Sequence, residues 1–324
     1  MKIAVLDDYQ NVALSMADWS DVSRQADITV FNDHLAEPQK LAQRLLPFDV
    51  ICIMRERTPL TADLIGQLPN LKLIISTGAR NFSIDAAAAE RRGIPIQYTG
   101  YLATPTVEMT WALILGVARH VASENASLRS GGWQRSVGSD LHGKTLGLLG
   151  LGNLGSRVAT IAHAFGMKTI AWSHNLTAEK AAAVGTTLVS KEALFRESDF
   201  LTVHLVLGER SRGLVGAAEL ALMKPTAFLI NSSRGPIVEE AALIDALQRQ
   251  SIAGAAVDVF DIEPMLPDHP FRTLPNMLAT PHIGYVSQSL YETFYGDTVS
   301  NLKTWLAKNA ALQSPSEIQS DKTV

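Results

Sequence analysis

Short apolar runs alternate with amphipathic stretches along most of this chain. In the first hundred residues the apolar runs fall at 2–6, 28–31, 50–54 and 71–76, each long enough for a buried strand. Stretches 38–46 and 62–68 repeat apolar residues at helical spacing between them. Val12, Met16 and Trp19 suggest a further short helix after the first run. This alternation predicts βαβ units and a parallel sheet. A longer helical pattern comes next. Thr104 suits an N-cap and Pro105 the first helical position. Val107, Trp111, Ile114, Leu115, Ala118 and Ala122 then form one apolar stripe, which predicts a single buried helix between two halves of the chain. Segment 123–141 has glycines, Trp133 and no strand pattern; it suits an arm onto a partner subunit or a plain loop.

From Lys144 the alternation resumes. Strands are predicted at 145–149, 167–172, 200–205, 227–231, 255–259 and 277–280, with helices at 190–197, 217–223 and 239–250. A last helix is predicted at 286–308, followed by a polar, disordered tail at 313–324. The pattern is that of a doubly wound α/β sheet, whose ligands sit beyond the C-terminal ends of the strands.

Composition narrows the class. A chain of 324 residues exceeds one typical core, so two domains are expected. Net charge is −4, which offers no basic face for a nucleic acid. No apolar run approaches a membrane span, and Asp7 and Asp8 stand where a signal peptide needs apolar residues. A cytoplasmic protein is therefore expected. The single cysteine, Cys52, lies in an apolar run and reads as core filler. No metal site is expected.

The candidate chemistry sits after the strands. Gly150, Gly152 and Gly155 come after the strand at 145–149 with G-x-G-x-x-G spacing, and Val158, Ile161, Ala162 and Phe165 continue at helical spacing. This order of strand, glycines and helix points to a dinucleotide pyrophosphate held at a helix N-terminus. After later strands come Arg234, Glu263 and His282: a cation, an acid and an imidazole at one end of one sheet. In the first half, residues 76–81 (Ser-Thr-Gly-Ala-Arg-Asn) come directly after a strand. Backbone amides there can hold a carboxylate, and the same residues also suit a simple strand-to-helix turn. Arg55 is a second candidate anion contact or a surface charge.

Residues 231–235 (Asn-Ser-Ser-Arg-Gly), 258–264 (Asp-Val-Phe-Asp-Ile-Glu-Pro) and 280–284 (Thr-Pro-His-Ile-Gly) closely resemble the motifs of the D-isomer-specific 2-hydroxyacid dehydrogenases. Residues 143–155 and 78–85 join the match. The order Arg, Glu, His, separated by 29 (234 to 263) and 19 (263 to 282) residues, is more specific than the glycines.

The resemblance implies two αβ domains with a cleft between them. A Rossmann-type NAD(P)-binding domain, 101–285, would be inserted into a smaller flavodoxin-like substrate domain made of 1–100 and 286–324. It implies a homodimer. It implies reversible reduction of a 2-keto acid to the D-2-hydroxy acid, with Arg234 forked onto the carboxylate and carbonyl, His282 as acid and base, and Glu263 holding the imidazole tautomer. Gly150, Gly152, Asn153, Leu154, Gly155, Ser173, His174, His204, Val206, Ser211, Asn231 and Asp258 would line the cofactor, with Asp258 on the nicotinamide carboxamide. Arg55, Ala79 and Arg80 would face the substrate.

The chain departs from the family pattern at three places. Ser173 stands where an acid usually selects NAD, which leaves NAD and NADP both open. Val206 replaces a usual proline, and Arg80 a usual small residue. The stretch after the last helix leaves no room for a regulatory domain, and cations for a phosphate are few. These points favour glyoxylate or hydroxypyruvate over phosphoglycerate. A non-catalytic NAD(H)-sensing protein is the alternative of another class.

Overall fold

The structure is a computed structural model that describes residues 1–313. The tail expected to be disordered lies, from 314 on, outside the described residues. The chain divides into two units, one made of Met1–Leu102 with the chain from Ser287, the other of Ala103–Val286.

The first unit holds β1 (Lys2–Val5), α1 (Ser20–Ser23), β2 (Asp27–Val30), α2 (Pro38–Leu45), β3 (Val50–Ile53), α3 (Ala62–Gly66), β4 (Leu73–Ser76), α4 (Ala86–Arg91) and β5 (Ile96–Tyr98). The strands pair in parallel in the order β2-β1-β3-β4-β5. Every residue of β3 and β4 is buried, which explains their unbroken apolar runs: both faces of a parallel sheet are covered. Leu45, Ile51, Ile65 and Ile74 pack in this core. Cys52 is buried in β3, and burial pushes its thiol up to about 12.

The helix expected over Val12–Trp19 does not form. The Asp8 carboxylate accepts from the amides of Val12 at 3.1 Å and Ala13 at 2.8 Å, which closes a turn in its place. A side-chain acceptor here competes with helical hydrogen bonding, and only the single turn of α1 remains.

The second unit opens with α5 (Thr104–Ala118) and α6 (Val121–Arg129). Then come β6 (Thr145–Leu149), α7 (Asn153–Ala164), β7 (Lys168–Trp172), α8 (Ala178–Ala182), β8 (Thr187–Leu188) and α9 (Lys191–Glu197). They are followed by β9 (Phe200–Val203), α10 (Ala217–Leu220), β10 (Phe228–Asn231), α11 (Glu240–Gln248), β11 (Gly254–Val257) and β12 (Met277–Ala279). Seven strands pair in parallel in the order β12-β11-β10-β9-β6-β7-β8. Trp111 and Ile114 of α5 pack with Leu146, Leu148, Val158 and Ile230.

The single long helix expected from 104 to 122 is two. His120 takes a left-handed backbone (φ +52°) and ends the run, and α6 starts just after it. Ala103 occupies the N-cap, so Thr104 is the first helical residue and caps nothing. The first part of segment 123–141 is therefore helix. The last helix, α12 (Gln288–Gln313), returns to the first unit. Among the described residues no helix is long and apolar enough to cross a membrane, and no group of His, Cys, Asp and Glu could hold a metal ion.

Candidate active site

In the second unit β6 lies between β7 and β9, so the chain runs outward in both directions from this strand. Such a switch point leaves a crevice at the C-terminal strand ends. Gly150 ends β6 with φ +104°, and a Cβ there would meet the His204 carbonyl at 2.9 Å. A Cβ on Gly155 would sit 2.3 Å from the Gly150 carbonyl oxygen, so only glycine lets α7 start this close to the strand. Gly152 differs: its extended backbone faces open space, with nothing within 4 Å of a Cβ position. That is the shape a pyrophosphate needs for close backbone approach, and the first amides of α7, from Asn153, Leu154 and Gly155, lie at its N-terminus. The residues present fit a dinucleotide.

At the end of β7, Ser173 is half-buried and His174 exposed, with the His174 ring against Trp172. His204 comes just after β9, with Nε2 3.1 Å from the Thr202 hydroxyl; burial lowers its imidazole to about 4, so it is neutral at pH 7. Val206 is 63% exposed, unusual for valine. Ser211 is buried and its hydroxyl is spent on its own loop, donating to the Val206 carbonyl at 2.7 Å and accepting from the Gly208 amide at 2.9 Å.

Three adjacent strands, β10, β11 and β12, lead into the loops that carry the candidate residues. Register pairs Asn231 with Val257 and Val257 with Ala279, so Arg234, Glu263 and His282 lie on the loops that leave neighbouring strand ends. Asn231 shapes the first loop, accepting from the Ser233 amide and donating to the Arg234 carbonyl, each at 3.0 Å. Arg234 Nη1 donates to the Ser233 carbonyl at 2.7 Å. Glu263 Oε1 accepts from the Phe260 amide at 3.0 Å, and its Oε2 lies 2.5 Å from His282 Nδ1. Nδ1 therefore carries the proton given to Glu263, and Nε2 is the nitrogen that can exchange a proton with a substrate.

His282 itself is held in a left-handed backbone (φ +52°) after Pro281. Asp258 secures that loop. Its carboxylate, 1% exposed, accepts from the Thr280 hydroxyl at 2.6 Å, the Ile283 amide at 2.8 Å and the Gly284 amide at 2.7 Å. Burial holds the Asp258 carboxyl above the ordinary carboxylate range in spite of these donors. Two residues here carry no role in the sequence reading: Thr280, which donates to Asp258, and Tyr285, whose ring meets that of His282 edge-on at 5.7 Å. Thr280 stands inside a recognised motif; Tyr285 carries no sequence signal beyond its place after it.

In the first unit, Arg55 lies just after β3 and the exposed Ala79 and Arg80 just after β4. The turn there is partly committed. Gly78 N donates to the Thr99 hydroxyl at 2.7 Å and Thr77 N to the Ile53 carbonyl at 3.1 Å, so neither amide is open to a carboxylate. The Arg80 guanidinium stacks over the exposed Phe82 ring at 5.2 Å.

Residues 111–284 match the family described as D-isomer specific 2-hydroxyacid dehydrogenase, NAD binding domain. The chain is 39% identical over 273 residues to a glyoxylate reductase of Aeropyrum pernix, covering 81% of each. It is 39% identical over 240 residues to a D-3-phosphoglycerate dehydrogenase of Synechocystis, covering 73% of this chain and 43% of that one. Among solved structures, a phosphoglycerate oxidoreductase of Vibrio cholerae superposes with TM-score 0.90 at 38% identity, over 95% of this chain and 99% of that one. With the glycine turn on β6 and the Glu–His pair on β11 and β12, the chain belongs to the D-isomer-specific 2-hydroxyacid dehydrogenases, oxidoreductases with an NAD-binding domain.

Proposed function

We propose that this enzyme reduces a small 2-keto acid, glyoxylate or hydroxypyruvate, to the D-2-hydroxy acid. The observation that carries the reading is the 2.5 Å contact of His282 Nδ1 with Glu263, at the C-terminal strand ends of the sheet that also bears the dinucleotide turn. A nicotinamide cofactor, when bound, supplies the hydride. Arg234 forks onto the substrate carboxylate and carbonyl, orienting the keto acid and polarising its C=O. His282 delivers a proton from Nε2 to the carbonyl oxygen as charge develops there, and removes it in the reverse direction. Glu263 fixes the Nδ1–H tautomer and stabilises positive charge on the ring. Gly150, Gly152, Asn153, Leu154 and Gly155 hold the pyrophosphate, and Ser173, His174, His204 and Val206 line the rest of the cofactor. Asn231, Ser211 and Asp258, whose bonds shape these loops, also line the cofactor, with Asp258 on the nicotinamide carboxamide.

Arg55 takes the substrate's anionic end, with Ala79 and Arg80 on the loop that leaves the neighbouring strand β4. Arg55, Arg57 and Arg80 are the few cations in these loops, which supports a substrate without a phosphate. Ser173 leaves the cofactor to be NADH or NADPH. The finer expectations are a cytoplasmic enzyme and a homodimer; Trp133, 72% exposed after α6, supports an interface there, and sedimentation would test it. The function is tested by following cofactor absorbance with glyoxylate, hydroxypyruvate and 3-phosphohydroxypyruvate. Turnover with the first two supports the reading; preference for the third replaces the substrate; cofactor binding without turnover favours a sensor.

A further inference from the structure

Three neighbouring strands of the first unit, β1, β3 and β4, each lead into a residue with left-handed backbone: Asp7 (φ +58°), Arg55 (φ +51°) and Gly78 (φ +87°). Glycine adopts this readily; an arginine does so only where its surroundings hold it. Arg55 is held. Its amide donates to the Thr77 hydroxyl at 2.8 Å, its Nη1 to the Thr77 carbonyl at 3.2 Å, and its carbonyl accepts from Asn81 Nδ2 at 2.6 Å. The far end of the same turn is held by Asp7. The Asp7 carboxylate is 2% exposed, and its Oδ2 accepts from the buried Thr58 hydroxyl at 2.6 Å. Its Oδ1 lies 3.0 Å from His34 Nδ1 and accepts from the Tyr9 hydroxyl at 3.4 Å. Tyr9 in turn faces the Arg57 guanidinium.

A buried carboxylate is costly unless its oxygens are satisfied. Here it is satisfied by groups from three separate segments, two of which bear on one turn containing two arginines. Neither end of that turn is left to solvent. Such fixing has a function if the arginines must meet a ligand at defined positions.

We propose that Asp7 is a positioning residue that, through Thr58 and Tyr9, fixes the turn at 55–58 so that Arg55 and Arg57 present their cations to the anionic part of the substrate. This rests on the reading of Arg55 as a substrate contact. Asp7 touches no substrate itself.

The test measures KM for glyoxylate, kcat and cofactor affinity in Asp7→Asn, Thr58→Val, Thr58→Ser and Arg55→Gln. Asp7→Asn and Thr58→Val are expected to raise KM about tenfold while kcat and cofactor affinity stay within about twofold, with Thr58→Ser near the parent. Arg55→Gln is expected to raise KM likewise. A normal KM in Asp7→Asn or Thr58→Val, with KM raised in Arg55→Gln, overturns the role of Asp7 and leaves Arg55 standing. A normal KM in Arg55→Gln removes the underlying reading, and the proposal with it. A parallel fall in kcat and cofactor affinity in Thr58→Val marks a merely structural contact and also overturns it. Should Asp7→Asn not fold, the Thr58 pair decides.

Discussion

The two units share a plan and differ at the exit of the first strand. In each sheet that strand stands inside, β1 between β2 and β3, β6 between β7 and β9. Each thus has a switch point with a crevice at the C-terminal strand ends. After β6 comes Gly150 and an open backbone at Gly152; after β1 come Asp7 and Asp8, both buried, with their carboxylates tied into loops. Backbone topology sets where a ligand can lie. The residues at the strand exit decide whether a pyrophosphate can lie there, since two carboxylates repel one and backbone amides of a glycine turn donate to it.

The comparison breaks most sharply at the reactive end of the second unit. His282→Ala is expected to lower kcat by about 10²–10⁴-fold while cofactor binding, followed by fluorescence titration, persists. Near-normal turnover would remove the reactive chemistry from this sheet. Arg234→Lys keeps the charge and loses the fork; kcat/KM for the keto acid should fall about 10²-fold, measured at fixed cofactor. A change confined to the cofactor's KM would instead place Arg234 on the dinucleotide.

Smaller effects sharpen it. Ser173→Asp should move the ratio of kcat/KM for NADH over NADPH upward by about tenfold or more, because a carboxylate accepts from ribose hydroxyls and repels a 2′-phosphate. An unmoved ratio would show that the end of β7 does not meet the ribose. The smallest effect is on stability. His204 titrates near 4 in the fold against 6.5 when unfolded, so the unfolded chain binds the extra proton between those values. Its contribution is complete above about pH 6.5 and is lost as pH falls toward 4, by at most about 3 kcal/mol. The melting temperature should drop over this window less in His204→Asn than in the parent; equal drops would assign the loss to other groups.

Much of the cofactor half was legible in the sequence because its signals are local. Apolar runs mark strands covered on both faces, and the spacing of Gly150, Gly152 and Gly155 reflects contacts within a few residues. The order of Arg234, Glu263 and His282 could be read, because each comes soon after its strand. The features that escaped depend on distant partners or on weak local bias. The break at His120 has no glycine or proline to announce it. β8, with two residues, and β5, with three, are edge strands too short for a pattern. Residues 76–81 suited either a carboxylate-holding turn or a plain one, and what commits the Gly78 amide is Thr99, 21 residues on. Asp7 meets His34 and Thr58, 27 and 51 residues away in the chain.

Cys52 sits in the middle of β3, sealed from solvent, with its thiol far too weakly acidic to react near neutrality. Alkylating reagents should therefore leave the native enzyme untouched and mark it only when this sheet opens. A single timed labelling experiment would then report the opening rate of the first unit alone, while cofactor fluorescence tracks the second.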